Sequence, residues 1–92
     1  MKNIVEQLKS IRREHGLSQS EFGERLGLPQ SHISRIEQGE TDPRFFTVAD
    51  MARVLDQELV LIPRSMVSYV HSILYGEGEE ERRFQLDEGT GK

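Results

Sequence analysis

The chain has no cysteine among its 92 residues. That removes a disulfide framework, a thiolate nucleophile and every zinc site built on thiolates. A reducing compartment is compatible with the composition. Long apolar runs are missing too: the longest mostly apolar stretch, Leu59 to Ile62, is far short of the roughly 20 residues that cross a bilayer. The opening residues, Met1 to Leu8, break their apolar positions with charge and cannot form the apolar centre of a secretion signal. A cytoplasmic location away from membranes is expected. Catalytic signatures are equally scarce, with no glycine-rich phosphate loop and its lysine, no His-Glu-x-x-His and no serine elbow between glycines. His15, His32 and His71 lack ligand spacing, and Glu79 to Glu81 sit in a glycine-rich run where carboxylates are solvated. No metal, cofactor or enzymatic activity is expected.

What is present fits about one domain. Twelve Lys and Arg stand against sixteen Asp and Glu, a net charge of −4, which taken whole disfavours a polyanionic partner. The distribution matters more than the total. Residues 1–56 hold eight basic and nine acidic side chains, residues 57–75 one of each, and residues 76–92 three basic and six acidic. The negative balance therefore lies in Gly76 to Lys92, which has only Phe84 and Leu86 as large apolar residues. That composition reads as a disordered or loosely attached acidic tail.

The first 56 residues read as short helices separated by turn signals. Ile4, Leu8 and Ile11, widened by Val5, make a helical stripe over about Ile4 to His15 that Gly16 stops. Ser18 and Glu21 form a capping box, so a second helix begins near Gln19, carries Phe22 and Leu26 inward and ends at Gly27. Pro29 suits the first turn of a third helix whose inward face is Ile33 and Ile36, closed by Gly39. A fourth runs from Arg44 to about Leu55 on Phe45, Val48, Met51, Ala52 and Leu55. Leu59, Val60, Leu61 and Ile62 then crowd four branched aliphatics before Pro63, a strand pattern. A lone strand cannot satisfy its own backbone, so the same strand of a second subunit is its expected partner. Ser65 is placed to cap a last helix carrying Val67, Val70, Ile73 and Leu74, which Gly76 ends.

Residues 19–38 carry the most specific pattern. Gly23 provides the small residue that two closely crossing helices need, and Gly27 can take positive φ in the turn between them. Phe22, Leu26, Leu28, Ile33 and Ile36 complete a small core. This is the spacing of a helix-turn-helix. The side chains of its second helix that face away from Ile33 and Ile36 are Gln30, Ser31, Ser34 and Arg35, with His32 at the margin. They are the polar types that reach base edges, Arg suiting guanine and Gln adenine.

In these runs, Gly16 to Gly23, Leu26 to Gly39 and Pro43 to Leu55, the chain resembles the Xre family of helix-turn-helix proteins, related to the phage repressor and Cro group. The strand that follows looks like that of HipB-type antitoxins, although the helix and acidic tail after Pro63 depart from that pattern. The resemblance implies base contacts by Gln30, Ser31, His32, Ser34 and Arg35. It also implies phosphate contacts by Gln19, Ser20 and Arg44, with Gln19 bracing Gln30 and helix-start amides assisting. A structural ion pair between Arg12 and Glu37 is implied as well.

The expected fold is mainly α: a compact helix-turn-helix bundle of four to five helices with a short C-terminal strand, Leu59 to Ile62, pairing between subunits of a dimer. Residues 1–57 form the DNA-binding domain, 58–75 the dimerisation strand and last helix, and 76–92 the tail. The implied function is a homodimeric repressor of an inverted-repeat operator, the antitoxin and autoregulator of a HipA-like toxin, nucleoid-associated when bound. A plain Xre-type repressor and a helix-turn-helix protein-interaction module are the alternatives.

Overall fold

The computed structural model describes residues 3–76, and the acidic tail beyond Gly76 lies outside the described residues. Five α-helices occur among them: α1 (Ile4–Glu14), α2 (Gln19–Leu26), α3 (Gln30–Glu37), α4 (Phe45–Val54) and, after a 3-10 turn at Arg64–Met66, α5 (Val67–Tyr75). They fall into two units divided after Leu59.

The first unit holds α1 to α4 around one core. Leu8, Leu17, Phe22, Ile33, Ile36, Val48, Met51, Ala52 and Leu55 are buried, and Val5, Ile11, Leu26, Leu28, Val54 and Leu59 pack partly against them. At about 1.5–3 kcal/mol for each large apolar side chain fully removed from water, these few residues supply most of the driving force. Local chemistry sets the helix ends. Asn3 caps α1 through the amide of Glu6 at 2.9 Å. In α2 the capping box is closed in both directions, Glu21 N–H to Ser18 Oγ at 3.0 Å and Ser18 N–H to Glu21 Oε1 at 2.8 Å. The bond from the Ser18 backbone, then that with its side chain, and last the charge of Arg25 hold the Glu21 carboxyl below its ordinary range. The folded value is the lower one, so this stabilisation is present above the ordinary carboxyl range and is lost as pH falls through the depressed value.

Helices α1 to α4 all terminate with the same pair of backbone bonds. In α2 the bonds run from Gly27 N to Glu24 O and from Leu28 N to Gly23 O, and in α4 from Asp56 N to Arg53 O and from Gln57 N to Ala52 O. The left-handed residue this motif requires is Gly27, φ 74°, in the first case and Asp56, φ 61°, in the second. Asp56 thus occupies the position glycine usually takes. Gly23 answers a different need. A Cβ there would stand 2.5 Å from the Leu28 carbonyl oxygen and 3.3 Å from Ile33 Cγ1, so the returning turn presses on α2 even more closely than α3 does.

The described chain departs from expectation in three places, and it leaves one segment without a partner. Within the chain Leu59–Ile62 forms no strand: its backbone makes no hydrogen bond among the described residues, which hold no second strand to build a ladder with it. Leu59 is instead partly taken up by the core, whereas Val60 and Leu61 are exposed. Phe45 is 68% exposed and Phe46 77%. The first turn of α4 extends past the core, and the two rings stack on each other edge-to-face at 5.5 Å. Pro29 is the N-cap of α3, not part of its first turn. Ser65 lies inside the 3-10 turn and caps nothing; α5 starts after Met66 without a side-chain cap.

The second unit contains no buried residue in its turn or in α5. Met66, Val67, Tyr69, Ile73, Leu74 and Tyr75 are all exposed. A nine-residue helix is below the ~12–15 residues at which isolated helices become even marginal in water.

Substitution Gly23→Ala tests the close approach. Helix propensity alone would favour Ala by about 1 kcal/mol, but the carbonyl cannot yield without moving the turn, so a net loss of about 1–3 kcal/mol in urea unfolding is expected. Unchanged or higher stability would show that the turn relaxes freely.

Candidate nucleic-acid interface

The second helix of the motif, α3, is anchored by three buried residues, Ile33, Ile36 and Glu37. Spacing then decides what its other face presents. Gln30, Ser31 and Arg35 are exposed, and His32 and Ser34 are half-buried. All five candidate base-reading residues therefore lie on α3, and its two isoleucines hold that helix to the core. Ser34 Oγ also accepts from Gln38 Nε2 at 3.1 Å, which leaves the hydroxyl proton for another acceptor.

Underneath lies a polar network. Arg12 Nε donates to Glu37 Oε2 at 2.7 Å, and Nη2 to Glu37 Oε1 at 2.9 Å. Its Nη1 donates to the carbonyl of Leu17 at 2.6 Å. Arg12 is only 6% exposed and Glu37 8%, so water screens little of this two-pronged pair. One guanidinium thereby joins α1, the α1–α2 turn and the end of α3. The network continues outward: Gln19 Nε2 donates to Glu37 Oε1 at 3.0 Å, and Gln30 Nε2 donates to Gln19 Oε1 at 2.7 Å. The first residue of α2 is thus tied both to the buried carboxylate and to the first residue of α3.

The pairing of Arg12 with Glu37, and of Gln19 with Gln30, follows the resemblance. The bonds from Arg12 to the Leu17 carbonyl and from Gln19 to Glu37 were not legible, because no spacing rule links a polar side chain to a turn carbonyl or to a partner 18 residues away.

The candidate phosphate residues are at helix starts. Gln19 and Ser20 are the first two residues of α2; the amide of Glu21 is taken by the cap and that of Phe22 by the Ser18 carbonyl. The amides of Gln19 and Ser20 have no partner within the helix and can serve an anion there. Arg44, exposed, is the N-cap residue of α4 and makes no side-chain cap. The exposed ion pair of Arg53 with Glu58, 3.8 Å apart, is of the kind that contributes little. No group of three or more potential metal ligands occurs among the described residues, and no helix among them is long and apolar enough to cross a membrane.

Comparison with known proteins places the chain among helix-turn-helix proteins. The helix-turn-helix family HTH_3 matches residues 8–62. An uncharacterized HTH-type transcriptional regulator, y4dL, of Sinorhizobium fredii is 42% identical over 72 residues, 78% of this chain and 37% of that protein. The HTH-type transcriptional regulator SinR of Bacillus licheniformis is 32% identical over 85 residues, 91% of this chain and 67% of that one. Antitoxin HigA1 of Mycobacterium tuberculosis is 34% identical over 61 residues, 66% of this chain and 41% of its own length. The chain thus spans well under half of y4dL and of HigA1. No solved structure matches the chain at a significant level. The chain belongs to the Xre-like helix-turn-helix family.

The buried pair makes a quantitative test. A unit of this size has roughly 3–9 kcal/mol of stability, and removing one partner of a buried ion pair costs about 3–5 kcal/mol. Glu37→Met is expected to lose about 3–5 kcal/mol, which leaves the first unit marginally stable at room temperature. Arg12→Met combined with Glu37→Met strands no charge and leaves chiefly the Leu17 carbonyl unpaired, at about 1–3 kcal/mol. Denaturation curves in which the double variant is no more stable than the single one would contradict this assignment.

Proposed function

We propose that this helix-turn-helix chain is a homodimeric, sequence-specific DNA-binding repressor, with α3 as its recognition helix in the major groove. One observation carries the reading: Gln30, Ser31 and Arg35 stand exposed on a helix whose opposite side, Ile33, Ile36 and Glu37, is locked into the core. Phosphate contacts fall to Gln19, Ser20 and Arg44, and their placement at helix starts supports that role. The acidic total is no obstacle, since residues 1–56 are nearly balanced in charge. Near-neutrality leaves base readout and dimeric linkage, rather than attraction to the polyanion at large, to supply the operator preference.

The dimer contact is assigned to Leu59, Val60, Leu61 and Ile62, pairing as strands across a two-fold axis. The unused backbone groups of this segment and the exposure of Val60 and Leu61 support it. Two recognition helices would then sit about one DNA turn apart on an inverted repeat. The finer reading is an antitoxin that represses its own operon and holds a HipA-like toxin. Similarity to Antitoxin HigA1 favours an antitoxin role in general, and the HipB-like position of the aliphatic segment favours this partner. A repressor without a toxin is the second reading, favoured by likeness to y4dL and SinR, both named transcriptional regulators. In either case the chain acts in the cytoplasm without enzymatic activity.

Operator titration tests the reading. Arg35→Ala is expected to cost about 1–3 kcal/mol on the preferred sequence and little on random DNA; equal losses on both would make Arg35 a phosphate contact. Leu61→Asp is expected to abolish the dimer in gel filtration and weaken operator affinity, and wild-type values for both would remove the strand from the account. Co-expression with the neighbouring gene product separates the two finer readings, since an antitoxin co-purifies with its toxin in fixed ratio and a plain repressor purifies alone.

A further inference from the structure

The network from Arg12 to Gln30 has a chemical direction. A carboxylate offers only acceptors, and both oxygens of Glu37 are fixed by Arg12. Gln19 must therefore turn its nitrogen to Glu37, which leaves its oxygen to face Gln30. Gln30 must answer with its own nitrogen. Its remaining N–H and its Oε1 then form a donor and acceptor pair, matching the N7 acceptor and N6 donor of adenine. Reversing the two carboxamides together would give Gln30 the opposite character: its oxygen would be spent on Gln19 and two N–H donors would remain, which suit the O6 and N7 acceptors of guanine. Only the buried carboxylate forbids that reversal.

We propose that Glu37, held by Arg12, is a specificity-determining positioning residue: through Gln19 it fixes the polarity of the Gln30 carboxamide and so makes Gln30 read adenine in preference to guanine. The inference rests on α3 being the recognition helix. Glu37 touches no base itself; it acts across two side chains. With Gln at position 37, either end of the new carboxamide can face Gln19, and both polarities of the pair become accessible.

The test varies the operator base pair facing Gln30 and measures the affinity of the full chain for each version, at a temperature where circular dichroism shows every variant folded. Wild type is expected to prefer adenine to guanine by about tenfold, the lower range of one bidentate contact. In Glu37→Gln that preference is expected to fall to within about twofold, with preferences at the other positions unchanged. Arg12→Met with Glu37→Met, which also removes the acceptor but buries no unpaired charge, is expected to do the same and serves if the single variant does not fold. Retained adenine preference with uniform weakening on all operators would make Glu37 a purely structural residue and overturn the proposal. A wild type with no sequence preference would overturn instead the recognition-helix reading beneath it. The free protein supplies a readout without DNA. Slow exchange of the Gln19 side-chain amide protons in wild type, lost in Glu37→Gln, supports the polarity lock, and equal exchange in both overturns it.

Discussion

The first unit depends on one buried guanidinium. Arg12 donates three hydrogen bonds, two to Glu37 and one to the Leu17 carbonyl, and so ties together three parts of the chain. Hydrophobic contact is non-directional: Phe22, Ile33, Ile36 and Met51 drive collapse and turn α3 toward the core, but they supply no directed bond between α3 and α1. A two-pronged ion pair does. An apolar substitute of similar volume could match its stability. What such a substitute could not supply is a fixed acceptor at the inner end of Gln19.

That distinction links the fold to its proposed work. A helix-turn-helix must hold its second helix at a defined height and rotation, because one misplaced turn moves every base contact. Here rotation comes from Ile33 and Ile36 on the core, separation from the closeness that Gly23 permits, and the start of α3 from the bond between Gln30 and Gln19. The surface that would meet DNA is in this sense an extension of the core's polar wiring. The second unit differs in kind. Its turn and α5 contain no buried residue.

Much of the first unit was legible from residue types. Glycines and the Ser18–Glu21 box punctuate the helices, and their chemistry is local: a positive φ or an orphan amide is satisfied by neighbours in sequence. Gly23 was legible as a close approach, although the Leu28 carbonyl, not only α3, is what presses on it. Periodicity failed where tertiary reach decides. Phe45 is in phase with Val48 and Met51, yet no core lies opposite the first turn of α4, and apolar spacing carries no information about where the core ends. The aliphatic run Leu59 to Ile62 showed a strand's composition, but a strand exists only as a pair. In the interface, exposure on α3 could be read from helical phase, whereas the bond from Gln19 to Glu37 could not, because it depends on the packing of helices whose residues are distant in the chain.

The most direct test of the account is a double-mutant cycle between the buried and exposed ends of this network. Glu37→Gln, Gln30→Ala and their combination would be compared by affinity for the adenine and guanine versions of the operator. If the core acts on DNA through Gln30, Glu37→Gln lowers adenine preference in the wild-type background and leaves it unchanged in the Gln30→Ala background. Equal losses in both backgrounds would contradict the account, because the buried pair would then influence recognition by a route that does not pass through Gln30.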